Sequence, residues 1–390
     1  MRTQVSVPSG SVTGPAPAPA RVPFLSRLIG ERARGDVRRA IGELVAGRPV
    51  LVRGGGAPAR LVVSVEGLDA AGLEALHDGG DAQGRRPTLV VSATRAAALG
   101  AHAAVGELAL PRGLGPQALL ELAGASGARP PESPRPADRV AAAGVELAKL
   151  AKLLPAVVTL PADGVEGIGA LACADADATL AFRVGHAGSL RRVSSAPVPM
   201  RAASDAELVV FRDELGESWS TIVVGRPDTR GPVPVRLHSA CLTGDAFASL
   251  RCDCGDQLQM ALAKIASLGG GALVYLAQEG CGIGLANKMR AYGLQEQGLD
   301  TVDANTTLGF DADERRYDAA AAMLRAVGIT EVALLTNNPS KLAALRAAGI
   351  DVRERLPLLA PVGARNRGYL EAKRRRAGHL MGDVPLRAVG

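Results

Sequence analysis

The feature that most limits how this chain folds is a run of three cysteines, Cys241, Cys252 and Cys254, spaced C-x10-C-x-C. The chain has five cysteines in all, so most of its thiols fall in this one window. Such clustering, with no paired framework elsewhere, argues for a metal rather than disulfides. Three thiolates suit a zinc ion and leave a fourth tetrahedral position open, the arrangement of catalytic rather than structural sites. Water fills that position in this reading, its pKa drawn toward neutrality by the metal. Two other readings stand beside it. His238 would close the site as a fourth ligand and make the zinc structural, or the thiols would be inert, buried hydrophobes. The Asp253 between Cys252 and Cys254 and the charges around them weigh against the second. Cys173, in an apolar run with Leu171 and Ala172, reads as core rather than catalytic.

Length and composition bound the rest. At 390 residues the chain has room for two domains with full cores. Only 3% of residues are aromatic, which argues against single-stranded nucleic acid as a partner, since that needs stacking platforms. A net charge of +6 suits an anionic small molecule such as a nucleotide. The unpaired cysteines point to a reducing compartment and a cytoplasmic location. There is no apolar stretch of about 18 residues to cross a membrane. Residues 1–22 hold Pro15, Pro17 and Pro19 and no apolar signal core, and read as a disordered tail.

Periodicity gives an α/β protein of two domains with mixed sheets. In the first, residues 23–189, a helix over 36–46 ends at Gly47-Arg48-Pro49 and leads into a strand at Val50-Leu51-Val52. Further strands fall at 61–65 and 88–91, and helices at 69–77, 95–100 and 116–122. The Pro-rich stretch 126–138 reads as an exposed loop or hinge. In the second, residues 190–390, strands fall at 208–211, 221–224 and 233–237. A helix follows Cys254, and Gly269-Gly270-Gly271 ends it before a strand at 272–277. The run Gln278-Glu279-Gly280-Cys281-Gly282-Ile283-Gly284 opens a helix over 285–297, an arrangement that suits a phosphate because free N–H groups gather there. Helices at 317–327 and 339–348 and strands at 332–335 and around Val352 complete the domain. Lys373 to Arg376 reads as a solvated helix face.

The segment RLHSACLTGDAFASLRCDCGDQLQMAL, followed by QEGCGIGLANKMRAYGLQEQGLDTVDANTTLGFDADERRY and LLTNNPSKLAALRAAGI, resembles GTP cyclohydrolase II in order and spacing. The resemblance runs from about Leu190 to the C-terminus. It implies zinc held by Cys241, Cys252 and Cys254, and GTP as substrate with Mg²⁺ escorting its phosphates. The implied products are 2,5-diamino-6-ribosylamino-4(3H)-pyrimidinone 5′-phosphate, formate and pyrophosphate, the first step of riboflavin biosynthesis. Guanine is opened at C8 by a metal-activated water, and pyrophosphate leaves the α-phosphate. The resemblance makes Arg315 the attacking residue at that phosphate, Asp313 its base, and Tyr292 the residue that orients a water or the opened ring. A guanidinium is a poor nucleophile, so a bidentate phosphate clamp is the plain alternative for Arg315. Nucleotide contacts carry over to Arg236, Leu237, His238, Ser239, Gln257, Glu279, Gly280, Cys281, Thr301, Thr336 and Lys341. Glu279 is the candidate reader of the guanine N1 and N2 donors. Many relatives have Arg at Cys281 and Glu or Ser at Ala240, departures that bear on triphosphate binding and on the metal's surroundings. The resemblance also implies a homodimer.

The first half resembles dihydroxybutanone phosphate synthase on RRAIGELVAGRPVLV alone. That family follows the strand with an acidic, magnesium-binding loop; here the stretch Arg53 to Arg60 has no carboxylate. Asp36, Glu43, Glu66 and Asp69 are too scattered to replace it. The half is therefore expected to be non-catalytic and to brace the other. Two further readings of the whole stay open: an enzyme that stops at a formamidopyrimidine nucleotide, and a GTP-binding regulator without turnover.

Overall fold

The computed structural model describes residues 31–54, 56–101, 104–165 and 167–359, together with 375, 376, 378 and 380. The expected tail over 1–22, and Lys373 and Arg374, lie outside the described residues. Two seven-stranded mixed sheets organise the chain, one in each half. None of the described helices is long and apolar enough to cross a membrane.

The first sheet comprises β1 (Val50–Gly54), β2 (Ala57–Ser64), β3 (Thr88–Val91), β4 (Gly106–Ala109), β5 (Arg135–Pro136), β6 (Ala156–Pro161) and β7 (Cys173–Asp175). Its order is β5-β4-β3-β6-β2-β1-β7, antiparallel except where β7 lies parallel to β1. Period-2 alternation splits its apolar residues between two cores. On one face Val50, Val52, Val62 and Val157 meet the helices Arg32–Val45 and Arg139–Leu150. The second of these starts on the Asp138 carboxylate, which accepts from Ala141 N at 2.8 Å. Gly144 lets it lie close to the sheet, since a Cβ there would be 3.1 Å from Val62. Cys173 is only half-buried, on edge strand β7 rather than in a core.

The second sheet comprises β8 (Arg191–Pro197), β9 (Ala206–Arg212), β10 (Ser218–Gly225), β11 (Val233–Ser239), β12 (Gly270–Leu276), β13 (Glu331–Leu335) and β14 (Asp351–Leu356). The order is β14-β13-β11-β12-β10-β9-β8. β8, β9, β10 and β12 are antiparallel neighbours, whereas β12, β11, β13 and β14 run parallel. Val233, Val235 and Leu237 pack toward the helix Asp318–Ala326. On the opposite face Leu273 and Ile222 pack under the helix Cys254–Ser267. Ligand sites in open sheets form beyond the carboxyl ends of parallel strands. Here those ends deliver His238 and Ser239 from β11, Gln278 just past β12, and Thr336 just past β13.

The halves share a core. The second face of the first sheet, with Val63, Leu89, Val91 and Val158, is covered partly by helices of its own half. The rest is covered by Ile283, Ala291, Leu294, Ala304, Leu308 and Phe310 of the second. A boundary near Leu190 therefore separates the sheets but not the packing. Polar contacts join the halves as well: Glu66 accepts from Arg290 at 2.7 Å, and Arg34 pairs with Glu214.

Candidate active site

The three thiols converge. The Sγ atoms of Cys241, Cys252 and Cys254 all lie within 4.8 Å of one another, the only such group of His, Cys, Asp or Glu ligand atoms among the described residues. Sulfurs around a tetrahedral zinc, with bonds of about 2.3 Å, sit about 3.8 Å apart; Cys241 and Cys252 are separated by 3.7 Å. Glycines allow the convergence. A Cβ on Gly244 would lie 2.8 Å from the Cys252 sulfur, and one on Gly255 would lie 2.3 Å from the Gly244 carbonyl oxygen. The triad fits a thiophilic cation.

His238 does not join the triad. Its Nε2 lies 3.0 Å from Asp245 Oδ1, and its ring stacks on Tyr275, its register partner across β11 and β12. Asp245 also accepts from Tyr275 Oη at 2.8 Å and from Cys241 N at 3.0 Å. His238 thus tethers the strand end to the first ligand, and its pKa is lowered by burial despite Asp245. Among the described residues the triad has no fourth His, Cys, Asp or Glu ligand atom grouped with it.

Lys288, absent from the sequence-based set, stands beside the thiols. Its Nζ lies 3.1 Å from Cys241 Sγ, 2.9 Å from Thr243 Oγ1 and 2.9 Å from Glu279 Oε1. Burial works against its charge, but Glu279 and Cys241 outweigh it and raise its pKa. The thiol of Cys241 is held far below its usual range by hydrogen bonds from Cys252 and Cys254, with Lys288 adding to them. The signal for Lys288 was its position four residues before Tyr292, on the same helix face.

The Glu279 carboxylate is already engaged within the protein. Its Oε1 accepts from Lys288 and from Gly280 N, and its Oε2 accepts from Leu242 N at 2.6 Å. A carboxylate offers about four acceptor sites, so both guanine donors cannot be met without displacing a present partner. The start of the helix Leu285–Glu296 is likewise taken. Lys152 of the first half packs against Gly284, and Asn287 donates to the Lys152 carbonyl at 2.8 Å. The N-terminus expected to hold phosphate faces the first half.

The thiols, His238, Lys288 and Glu279 border one cleft of about 750 Å³, a size typical of ligand sites. It is lined by the thiols, Tyr292, Asp313, Arg315 and every expected nucleotide contact except Leu237. Leu237 is buried in the core, and only its carbonyl takes part, accepting from Lys341 Nζ at 2.8 Å. Lys341 is itself buried, over the Tyr317 ring, and is not a solvated helix lysine. Arg236 is buried beneath the cleft, bonded to Leu335 O at 2.9 Å and Gln257 Oε1 at 2.5 Å. Burial brings its pKa down to about 10. Its Nε, with Ser239 Oγ and His238 Nδ1, has no hydrogen-bond partner among the described residues. Arg315 and Asp313 form a bidentate pair: Nε to Oδ1 at 2.8 Å and Nη2 to Oδ2 at 2.6 Å. Burial opposes the Arg315 charge, yet its anionic surroundings raise its pKa well above the ordinary value. Tyr292 sits under Arg251, whose guanidinium carbon is 4.6 Å from the ring centroid, and burial raises its hydroxyl pKa. Arg376, expected on a solvated face, reaches the cleft rim and pairs with Asp300 at 2.8 Å and Asp303 at 2.9 Å.

A thiol triad, buried cations and a bidentate Arg–Asp pair around one cleft at the ends of parallel strands describe an α/β protein built for metal-assisted chemistry on an anionic ligand. A family model described as GTP cyclohydrolase II matches residues 191–357. The chain is 41% identical over 384 residues to a GTP cyclohydrolase-2 of Azospirillum brasilense, covering 94% of this chain and 99% of that one. It is 48% identical over 193 residues to one of Salmonella typhimurium (strain LT2), covering 49% of this chain and 98% of that one. Among solved structures, a two-domain 3,4-dihydroxy-2-butanone 4-phosphate synthase from A. baumannii covers 83% of this chain and 99% of its own at 16% identity, with a TM-score of 0.28. A superposition that loose carries nothing for the site. The chain belongs to the GTP cyclohydrolase II family.

Proposed function

We propose that this protein hydrolyses GTP to 2,5-diamino-6-ribosylamino-4(3H)-pyrimidinone 5′-phosphate, formate and pyrophosphate, and so opens riboflavin biosynthesis. The observation that carries the reading is the meeting, in one cleft, of an open three-thiol cation site with the Asp313–Arg315 pair. Cys241, Cys252 and Cys254 are the zinc ligands. Zinc held there supplies a water acidic enough to ionise near neutral pH. Lys288 steadies the Cys241 thiolate, and Glu279 holds Lys288 and the Leu242 amide in place. Tyr292, its hydroxyl protonated at neutral pH, donates a hydrogen bond to a water or to the opening ring.

Arg315 takes the α-phosphate. Its elevated pKa moves it further from the neutral form that a nucleophile needs, which favours the clamp over attack at phosphorus. Asp313 orients the fork. Arg236, Gln257, Thr301, Thr336 and Lys341 border the nucleotide, with Mg²⁺ on its phosphates. The first half lends no second activity, and the chain works as a homodimer.

Incubation of the purified protein with GTP and Mg²⁺, reading formate, pyrophosphate and the pyrimidine product, tests the reading. Pyrophosphate and an opened ring without formate would replace it with the formamidopyrimidine reaction. Binding without turnover would replace it with a regulator. Ribulose 5-phosphate in the same assay should yield no dihydroxybutanone phosphate.

A further inference from the structure

The segment that carries Asp313 and Arg315 has no regular structure of its own. It runs from Gly309 to Tyr317, between the helices Thr301–Thr307 and Asp318–Ala326. Asp313 and Arg315 line the cleft, and Glu314 between them does not. Its side chain is only 6% exposed and turns to the first half. There Lys149 Nζ donates to Glu314 Oε1 at 2.7 Å, and Arg183 Nη1 to Oε2 at 3.2 Å. Arg183 is held in turn by Glu146. Lys149 also reaches Asp311 at 3.3 Å, Ser92 Oγ donates to Gly309 O at 2.5 Å, and Arg95 donates to Thr307 O at 2.8 Å.

The facing loop is gripped in the same way. Lys152 Nζ donates to Gly282 O at 3.3 Å. The Cys281 carbonyl accepts from Glu314 N at 3.1 Å, and a Cβ on Gly282 would lie 2.9 Å from the Glu314 carbonyl carbon. Outside the segment itself, the described residues of the second half meet its backbone through neutral groups, such as Gln278 Nε2 to Arg316 O at 2.6 Å. Both cations that neutralise the Glu314 carboxylate come from the first half.

We propose that Lys149 and Arg183 are positioning residues for the reaction: through Glu314 the first half sets the place of Asp313 and Arg315 in the cleft. This rests on the role given to Arg315 above. The Salmonella relative is matched over 98% of its length by 193 residues of this chain, so that relative has no counterpart of the first half. Beyond the shared core, what the first half provides here is the register of one segment. Misplacement of a catalytic group by about 1 Å costs on the order of 100-fold in rate.

The test uses the full-length protein and the variants Lys149→Met, Lys149→Arg and Glu314→Gln. Lys149→Met and Glu314→Gln should lower kcat about 10- to 100-fold with KM for GTP within about threefold. Lys149→Arg, which keeps the charge, should recover most of the rate. Zinc content should stay at the wild-type level. Hydrogen exchange of the amides of residues 309–316 should quicken about tenfold or more in Lys149→Met and not in Lys149→Arg. Exchange is read without substrate, so it decides the positioning claim even if the wild type failed to turn over GTP, which would overturn only the assigned activity. Unchanged exchange in Lys149→Met overturns the proposal. So does a rate loss that follows zinc loss or a general fall in melting temperature. If Glu314→Gln does not fold, the two Lys149 variants decide.

Discussion

Gly244 occupies the single helical turn Leu242–Asp245, between the first and second thiols. Its φ lies outside the left-handed region, so alanine would adopt the same backbone without strain. The obstacle is space. A Cβ would sit 2.8 Å from Cys252 Sγ, 3.0 Å from Cys254 Cβ and 3.1 Å from Cys241 Sγ. Non-bonded heavy atoms are comfortable at about 3.5–4.0 Å, so the methyl intrudes on all three cysteines by roughly 0.5 Å or more. With zinc bound the sulfurs cannot swing away, because each is fixed at bond distance. Without zinc they can rotate. The overpacking cost, about 1–3 kcal/mol, therefore falls mainly on the metal-bound state. It should appear as a zinc affinity about 5- to 150-fold weaker. Competition against a chromophoric chelator measures it. Gly79→Ala is the matched control, since a Cβ there meets nothing within 4 Å. Wild-type zinc affinity in Gly244→Ala, with the control also unchanged, would refute the packing argument.

Three further outcomes follow from the same geometry. Arg315→Lys keeps the charge but loses the planar fork that Asp313 holds, and should drop pyrophosphate release at least about tenfold with zinc retained; wild-type turnover would rule out both clamp and attack. Lys288→Met removes a 10%-exposed ammonium from Glu279 and Cys241, and should cost about 3 kcal/mol of stability and weaken zinc binding, a result that an unchanged melting curve would contradict. A chain begun at Leu190 should keep its zinc, because the triad and its partners lie in the second half. It should also aggregate or melt early, because Leu294, Leu308 and Phe310 lose their cover; a monodisperse fragment of full activity would falsify this.

The thiol cluster was legible because its members are local. Three thiols within one window must meet if they bind one ion, and the residues that let them meet, Gly244 and Gly255, lie in or beside that window. The helices and strands that periodicity marks were legible for the same local reason. What periodicity marked poorly was β6, which takes the central place in the first sheet. Its apolar run lies between Pro155 and Pro161 with both faces buried, so it shows no alternation to read. The Ala-rich helix before it, capped by Asp138, was hidden by its low contrast, and the helix Thr301–Thr307 by its short, polar sequence. Lys288, Glu279 and Glu314 have partners that were not legible, for a different reason. Each acts through a partner at least nine positions away and, for Glu314, through lysine and arginine more than a hundred residues earlier. A motif marks Asp313 and Arg315 because they face the cleft. The residue between them faces the rest of the protein, and only the packing of the two halves says what it meets there.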